Sequence, residues 1–125
     1  MSHPTQRLDN AVHQRIRLGI LTVLATTKRV DFTFLRNTLQ TTDGNLSRNL
    51  TMLEGGGHIT TERTFEKRRP RTWIAITPDG RRALAAEVAA LREIIKSVEH
   101  TLPAAHPPVA HSPATAWARR LDGAR

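Results

Sequence analysis

The sequence predicts an α+β chain: two short helices joined by a tight turn, then a β-hairpin, then a long C-terminal helix. Three observations carry that expectation. Leu46, Leu50 and Leu53 recur at four and three residues, the spacing that puts three side chains on one side of a helix. Ile59 to Phe65 and Arg71 to Thr77 are rich in Thr, Ile, Phe and Trp and flank Glu66-Lys67-Arg68-Arg69-Pro70, the pattern of a hairpin with a basic tip. Leu84, Val88, Leu91, Ile95, Val98 and Leu102 alternate steps of four and three, the heptad pattern of a helical seam.

Each element has local signals. Residues 1–7 hold no apolar pattern and are expected to be flexible. From Leu8 to Thr27 the apolar positions Leu8, Val12, Ile16, Ile20, Val23 and Leu24 advance by threes and fours, which predicts a first long helix. Leu18, Gly19 and Leu21 broaden its stripe, while Arg15 and Arg17 lie on or beside the polar arc and read as a solvated face. Val30-Asp31-Phe32 is a short extended run, and Thr33 is placed to cap a brief helix through Gln40 in which Leu35 and Leu39 lie one turn apart. Thr42 is the expected N-cap of the following helix, with Asp43 at the positive end of its dipole and Gly55-Gly56-Gly57 as its stop. Thr77-Pro78-Asp79-Gly80 opens the last helix with a Thr cap and a proline where no amide donor is needed. Running to Leu102, that helix would extend roughly 37 Å at about 1.5 Å per residue. Its apolar stripe outruns what a small domain can cover, so it is expected to pair with a second copy. From 103 to 125 the chain turns to Pro, Ala and His, with Trp117-Ala118-Arg119-Arg120-Leu121 near its end, and is read as a disordered tail.

Composition narrows the function classes. A chain of 125 residues suits one domain, here 8–102, and with 38% hydrophobic and 4% aromatic residues its core is thin enough that burial against a partner subunit would help. The net charge of +8 favours a polyanionic partner. The absence of cysteine excludes disulfides, thiolate metal sensing and thiol switching. The N-terminus has no hydrophobic signal core and no apolar run reaches membrane-spanning length, so a cytoplasmic location without membrane partners is expected. The histidines His100, His106 and His111 show no ligand pattern, and no glycine-rich phosphate loop, nucleophile elbow or paired carboxylates are present. Neither an enzyme nor a bound cofactor or metal is expected.

Chemistry concentrates in two places. On a helical wheel Gly44, Asn45, Ser47, Arg48, Thr51 and Met52 fall on the arc opposite the leucines. Arg48 can donate two parallel hydrogen bonds to guanine and Asn45 can pair with adenine in the same way. Thr42, Ser47 and Thr51 suit phosphate oxygens, Gly44 leaves room for close approach, and Asn49 sits nearer the buried side. The hairpin supplies Arg63, Lys67, Arg68, Arg69 and Arg71, five positive charges within nine residues opposed by Glu62 and Glu66. Such arginines neutralise phosphates or enter a narrow minor groove. Trp73 is expected to pack on the strand.

Four ordered pieces carry a resemblance: Asp31-Phe32-x-x-Leu35; Thr42-Asp43-Gly44-Asn45-Leu46-Ser47-Arg48-Asn49-Leu50-x-x-Leu53-Glu54; Arg69-Pro70-Arg71-Thr72-Trp73; and Ile76-Thr77-Pro78-Asp79-Gly80-Arg81. From about Leu8 to Val98 the chain resembles the small single-domain winged-helix transcriptional regulators of the MarR-like and ArsR-like groups. The resemblance implies that the helix from Asp43 enters the major groove and that the hairpin is a wing along the flanking backbone or minor groove. A homodimeric, sequence-specific regulator of transcription, a repressor by preference, is the expectation, with double-stranded DNA as partner. Small ligands in such families often bind between the DNA-binding lobe and the dimer helices, leaving room for an unidentified effector. The competing reading is a winged helix that docks an acidic protein.

Overall fold

Side-chain caps decide where most helices start. In a computed structural model, which describes residues 3–12 and 14–103, four α-helices surround a three-stranded antiparallel sheet. Helix α1 (Arg15–Leu24) begins where Gln14 Oε1 accepts from the amides of Ile16 and Arg17 at 3.0 and 3.1 Å. Strand β1 (Val30–Asp31) leads directly into α2 (Phe32–Leu39), and Asp31 rather than the expected Thr33 is the cap, accepting from the Phe34 amide at 2.7 Å. Thr42 caps α3 (Asp43–Gly55) through the Asn45 amide, as its position predicts. The hairpin strands β2 (Ile59–Glu66) and β3 (Arg69–Ile76) follow, and Thr77 caps α4 (Pro78–Val98) through the Gly80 amide.

Three sequence expectations need correction. The first helix starts at Arg15, not Leu8, and the stretch to Arg7 holds a 3-10 turn, Pro4–Arg7, packed on α4. Leu8 and Val12 mimic a helical stripe because a turn buries Val12 completely while the Asp9 amide donates to Glu87 of α4 at 3.1 Å. At the other end α4 closes at Val98 and a 3-10 turn, Glu99–Thr101, takes over. Leu102, followed by proline, is extended and leaves the helical stripe. Finally, the hairpin turn is not the five residues 66–70 but the pair Lys67-Arg68, so Arg69 and Pro70 belong to β3. The tail expected from 103 lies, from residue 104 onward, outside the described residues.

The strand order is β1-β3-β2, with Ile59 opposite Ile76, Thr61 opposite Ile74 and Phe65 opposite Pro70. Strand β1 pairs with β3 only at Ile74 and Trp73, so the missing amide of Pro70 falls beyond any third strand. The core joins Ile16, Ile20 and Leu24 of α1 to Leu35, to the α3 leucines Leu46, Leu50 and Leu53, and to Ile59, Ile74 and Leu84.

Helix α4 seats its first turn on the chain that leaves α3. Gly57 adopts a left-handed φ of 79°, its amide donates to the Glu54 carbonyl, and the His58 amide returns to the Leu53 carbonyl. Thr77 then donates its hydroxyl to the Gly57 carbonyl at 2.6 Å and its amide to the His58 carbonyl at 3.0 Å. Gly80 is pressed so close that a Cβ there would lie 2.1 Å from the His58 oxygen. Backbone cannot yield as a flexible side chain does. Gly80→Ala is therefore expected to destabilise the fold by about 2 kcal/mol or more, read as a lowered denaturation midpoint, whereas Gly44→Ala, with open space before it, should not.

Candidate nucleic-acid interface

The outer arc of α3 divides into committed and uncommitted side chains. Asn45 is half-buried: its Nδ2 donates to Thr41 Oγ1 at 2.8 Å, and its Oδ1 accepts from Asn49 Nδ2 at 3.2 Å. Asn49 is buried and also receives Arg17 Nη1 at 3.1 Å, while Arg17 Nη2 reaches the Asn10 carbonyl. Arg17, expected on a solvated face, thus ties α1 to α3. Thr42 Oγ1 is occupied as the cap and Thr51 donates to the Ser47 carbonyl. Ser47 and Arg48 are exposed, with side chains free of intramolecular partners among the described residues. Gly44 is exposed too, with nothing within 4 Å of where a Cβ would stand. An uncommitted guanidinium, a hydroxyl and a bare backbone stretch therefore share one face.

The hairpin also divides. Strand alternation puts Thr61, Arg63 and Phe65 on one face, with Thr72 and Pro70 opposite, and puts Glu62, Thr64 and Glu66 on the other with Trp73, Arg71 and Arg69. The first face is the one toward α3, since Thr61 donates its amide and hydroxyl to Glu54 Oε2 at 3.2 and 2.6 Å. Arg71, predicted as a free cation of the tip, is instead clamped: Nε and Nη2 donate to Asp31 Oδ2 at 3.0 and 2.8 Å, and its guanidinium lies 4.9 Å from the Trp73 ring centre. Arg29 covers the same ring at 4.0 Å and approaches Glu62 at 3.9 Å. Arg63, Lys67, Arg68 and Arg69 are exposed and make no ion pair among the described residues.

A family model described as a winged helix DNA-binding domain matches residues 16–95, close to the whole span from α1 to the last turns of α4. The chain belongs to that family. In the order of winged-helix elements α3 stands at the place of the recognition helix and β2–β3 at that of the wing, on a fold shared with MarR-like transcriptional regulators. The chain is 33% identical over 84 residues to an uncharacterised protein of Methanocaldococcus jannaschii, a match covering 67% of this chain and 91% of that one. It is similar in structure to a transcriptional regulator homologue from Pyrococcus horikoshii, at 25% identity and a TM-score of 0.72 over 79% of this chain and 99% of the other. The fold is also that of NadR, solved with 4-hydroxyphenylacetate, at 22% identity and a TM-score of 0.60, covering 80% and 70% of the two chains. This is a DNA-binding fold and not an enzyme family, and no helix among the described residues is long and apolar enough to cross a membrane.

Sequence reasoning missed several parts of the winged-helix surface. Phe65 stands 73% exposed on the α3 side of the wing. A period-two count outward from Ile59 finds it on the core face yet beyond the core. The Asp31–Arg71 pair spans forty residues and has no local signal. Lys67 and Arg68 both hold left-handed backbone, with φ of 51° and 64°, in a two-residue turn where Asn-Gly is the unstrained choice. Each non-glycine residue there costs roughly 1–2 kcal/mol, so the tip carries two cations at the expense of turn stability.

Electrostatics reinforce the wing's outer face. Glu66 receives hydrogen bonds from Thr64 Oγ1 at 2.8 Å and from the Trp73 indole at 3.1 Å, and these, with Arg71 and Arg29 nearby, hold its carboxyl below the usual value of 4.5. A carboxylate whose folded value is depressed adds stability above its unfolded value and loses it as pH falls through the folded one. The wing network should therefore persist somewhat below pH 4.5. Carboxyl-carbon NMR titration should place Glu66 under the ordinary glutamate range and return it toward that range in Thr64→Val; an unchanged titration in the variant would remove the hydroxyl as a cause.

Proposed function

We propose that this chain is a sequence-specific, double-stranded DNA-binding regulator that acts as a homodimer and represses transcription by occluding its site. The observation that carries the reading is an α3 arc on which Arg48, Ser47 and Gly44 are uncommitted, on a helix bonded through Glu54 to Thr61 of a hairpin whose tip bears Lys67 and Arg68 in strained backbone. Arg48 is the base reader, donating in parallel to O6 and N7 of guanine, and Ser47 holds a phosphate. Thr42 and Thr51 flank the same backbone. Gly44 lets the helix approach the groove wall. Asn45, with its amide engaged toward Thr41 and Asn49, orients the helix rather than reading adenine. In the wing, Arg63, Lys67, Arg68 and Arg69 face phosphates, and Arg71 is a brace.

The second copy is supported by the far half of α4. Leu84 packs in its own core and Val88 beside it, but Ile95 is 56% and Val98 39% exposed, with Leu91 only half-buried. An apolar stripe of this kind is covered in solution by a like helix. Leu102, 59% exposed beyond the helix end, extends the contact as a loose strand rather than a heptad position. Two recognition helices related by a two-fold axis would meet major grooves about 34–36 Å apart, so the operator is an imperfect palindrome. A small organic acid is the natural effector class. The groove of about 310 Å³ between the end of α1 and α4 is apolar and flanked by Arg81 and Arg92, and the similar NadR was solved with an aromatic acid.

Two measurements test this reading. Fragment selection with Arg48→Ala should return a motif relaxed at one base pair per half-site, worth about 1–3 kcal/mol of discrimination; equal weakening on selected and random duplexes contradicts base reading. Ile95→Glu, on an exposed position, should leave the fold intact and lower the mass seen by light scattering from two chains to one. An unaltered dimer takes α4 out of the interface.

A further inference from the structure

We propose that Phe65, backed by Pro70, is an apolar wedge that enters the minor groove beside the site read by α3 and partly unstacks a base step there. The inference rests on the duplex-binding reading of α3 and the wing and adds to it a residue and a mode of contact. Phe65 is 73% exposed, the most exposed large hydrophobic side chain among the described residues, and it stands one strand pair in from the turn, inside the closing pair Glu66–Arg69. Its face is the α3 face, shared with Arg63 and the Thr61 that bonds Glu54. Directly across lies Pro70, whose ring fixes the backbone and brings no rotamer freedom to lose. Phe65 itself has only two side-chain torsions, so the pair makes a stiff apolar tip.

The surroundings select the occupant. Arg63 lies two residues inward on the same face, and Lys67 and Arg68 form the turn beyond the Glu66–Arg69 pair, so cations precede and follow the apolar pair along the hairpin. A duplex minor groove offers the matching order: phosphate rails on both sides of sugar walls and base stacks. An anionic lipid surface matches the tip alone. It is a poor match for α3, whose outer arc, Met52 apart, is polar with Ser47, Arg48 and Thr51 exposed. Apolar wedges between base steps bend the duplex toward the major groove, which would carry flanking DNA around the wing. Pyrimidine–purine steps yield most readily, giving specificity at a step no side chain hydrogen-bonds.

The test uses the full chain and duplexes of about 30 base pairs, long enough for two half-sites, recovered from a random pool by the wild type. End-to-end energy transfer reads the bend, and affinity is followed across salt concentrations. Phe65→Ala should keep its melting temperature, since the side chain is exposed, yet lose about 10- to 100-fold in affinity and most of the bend. The slope of log affinity against log salt should not change, because no ion contact is lost. Arg68→Ala with Arg69→Ala should instead flatten that slope by about one unit per lost phosphate contact. Phe65→Trp should retain the bend. Affinity and bend indifferent to Phe65→Ala would overturn the wedge while leaving duplex binding standing. Loss of the dimer in Phe65→Ala would assign the ring to contact between copies, and Phe65-dependent binding to anionic vesicles with unaltered duplex binding would assign it to lipid; either overturns the wedge. A wild type that recovers no duplex at low salt overturns the DNA reading and the wedge together.

Discussion

The seat of α4 on the Gly57-His58 corner is the constraint on which the remaining geometry depends. At that corner the end of α3, the start of β2, the end of β3 and the start of α4 meet within a few hydrogen bonds: Thr77 to the Gly57 and His58 carbonyls, and His58 back to Leu53. Gly80 contributes by lacking a side chain where one would collide with the His58 oxygen. The corner fixes the angle between α3 and α4. Any shift of α4 is passed to α3 through backbone contacts, which do not relax as flexible side chains do. An effector held between α1 and α4, or a second copy bound to the distal half of α4, would act on α3 through this joint.

Inside that frame polar groups do the positioning that a thin core cannot. Glu87, 1% exposed on α4, receives the Asp9 amide and anchors the N-terminal turn. Arg17 reaches from α1 to Asn49, Asn49 to Asn45, and Asn45 to Thr41 in the turn before α3. Ion pairing between Arg36 and Asp43 at 2.7 Å closes the same turn from α2. The buried and half-buried members, Glu87, Asn49 and Asn45, orient their elements because a mispaired group there costs more than a correct pair gains, whereas the exposed Arg36–Asp43 pair adds little.

The sequence was most legible where structure is decided within one turn of chain. The Thr42 and Thr77 caps, the leucine stripe of α3 and the opening of α4 all follow from residues three or four apart, and they came out as expected. The winged-helix order was readable because four such local motifs occur in sequence. What stayed hidden depends on distant partners. Leu8 and Val12 keep helical spacing but lie in a turn before the helix, where Val12 is buried and Leu8 half-buried. Arg17 and Arg71 look like solvated cations until Asn49 and Asp31 are brought to them across the fold. The Lys67-Arg68 turn was unreadable for the opposite reason, since neither residue favours the backbone it adopts.

Asp31 holds two offices with its two oxygens: one caps α2 at the Phe34 amide, the other grips Arg71 in the wing. The helical pair and the hairpin are consequently jaws of a single caliper hinged at one carboxylate. The gap between the jaws is set before anything is grasped, so a target must already have the right girth or be deformed to it. Substitutions on the exposed arc of α3 would change what that helix meets without disturbing how wide a span the two elements straddle.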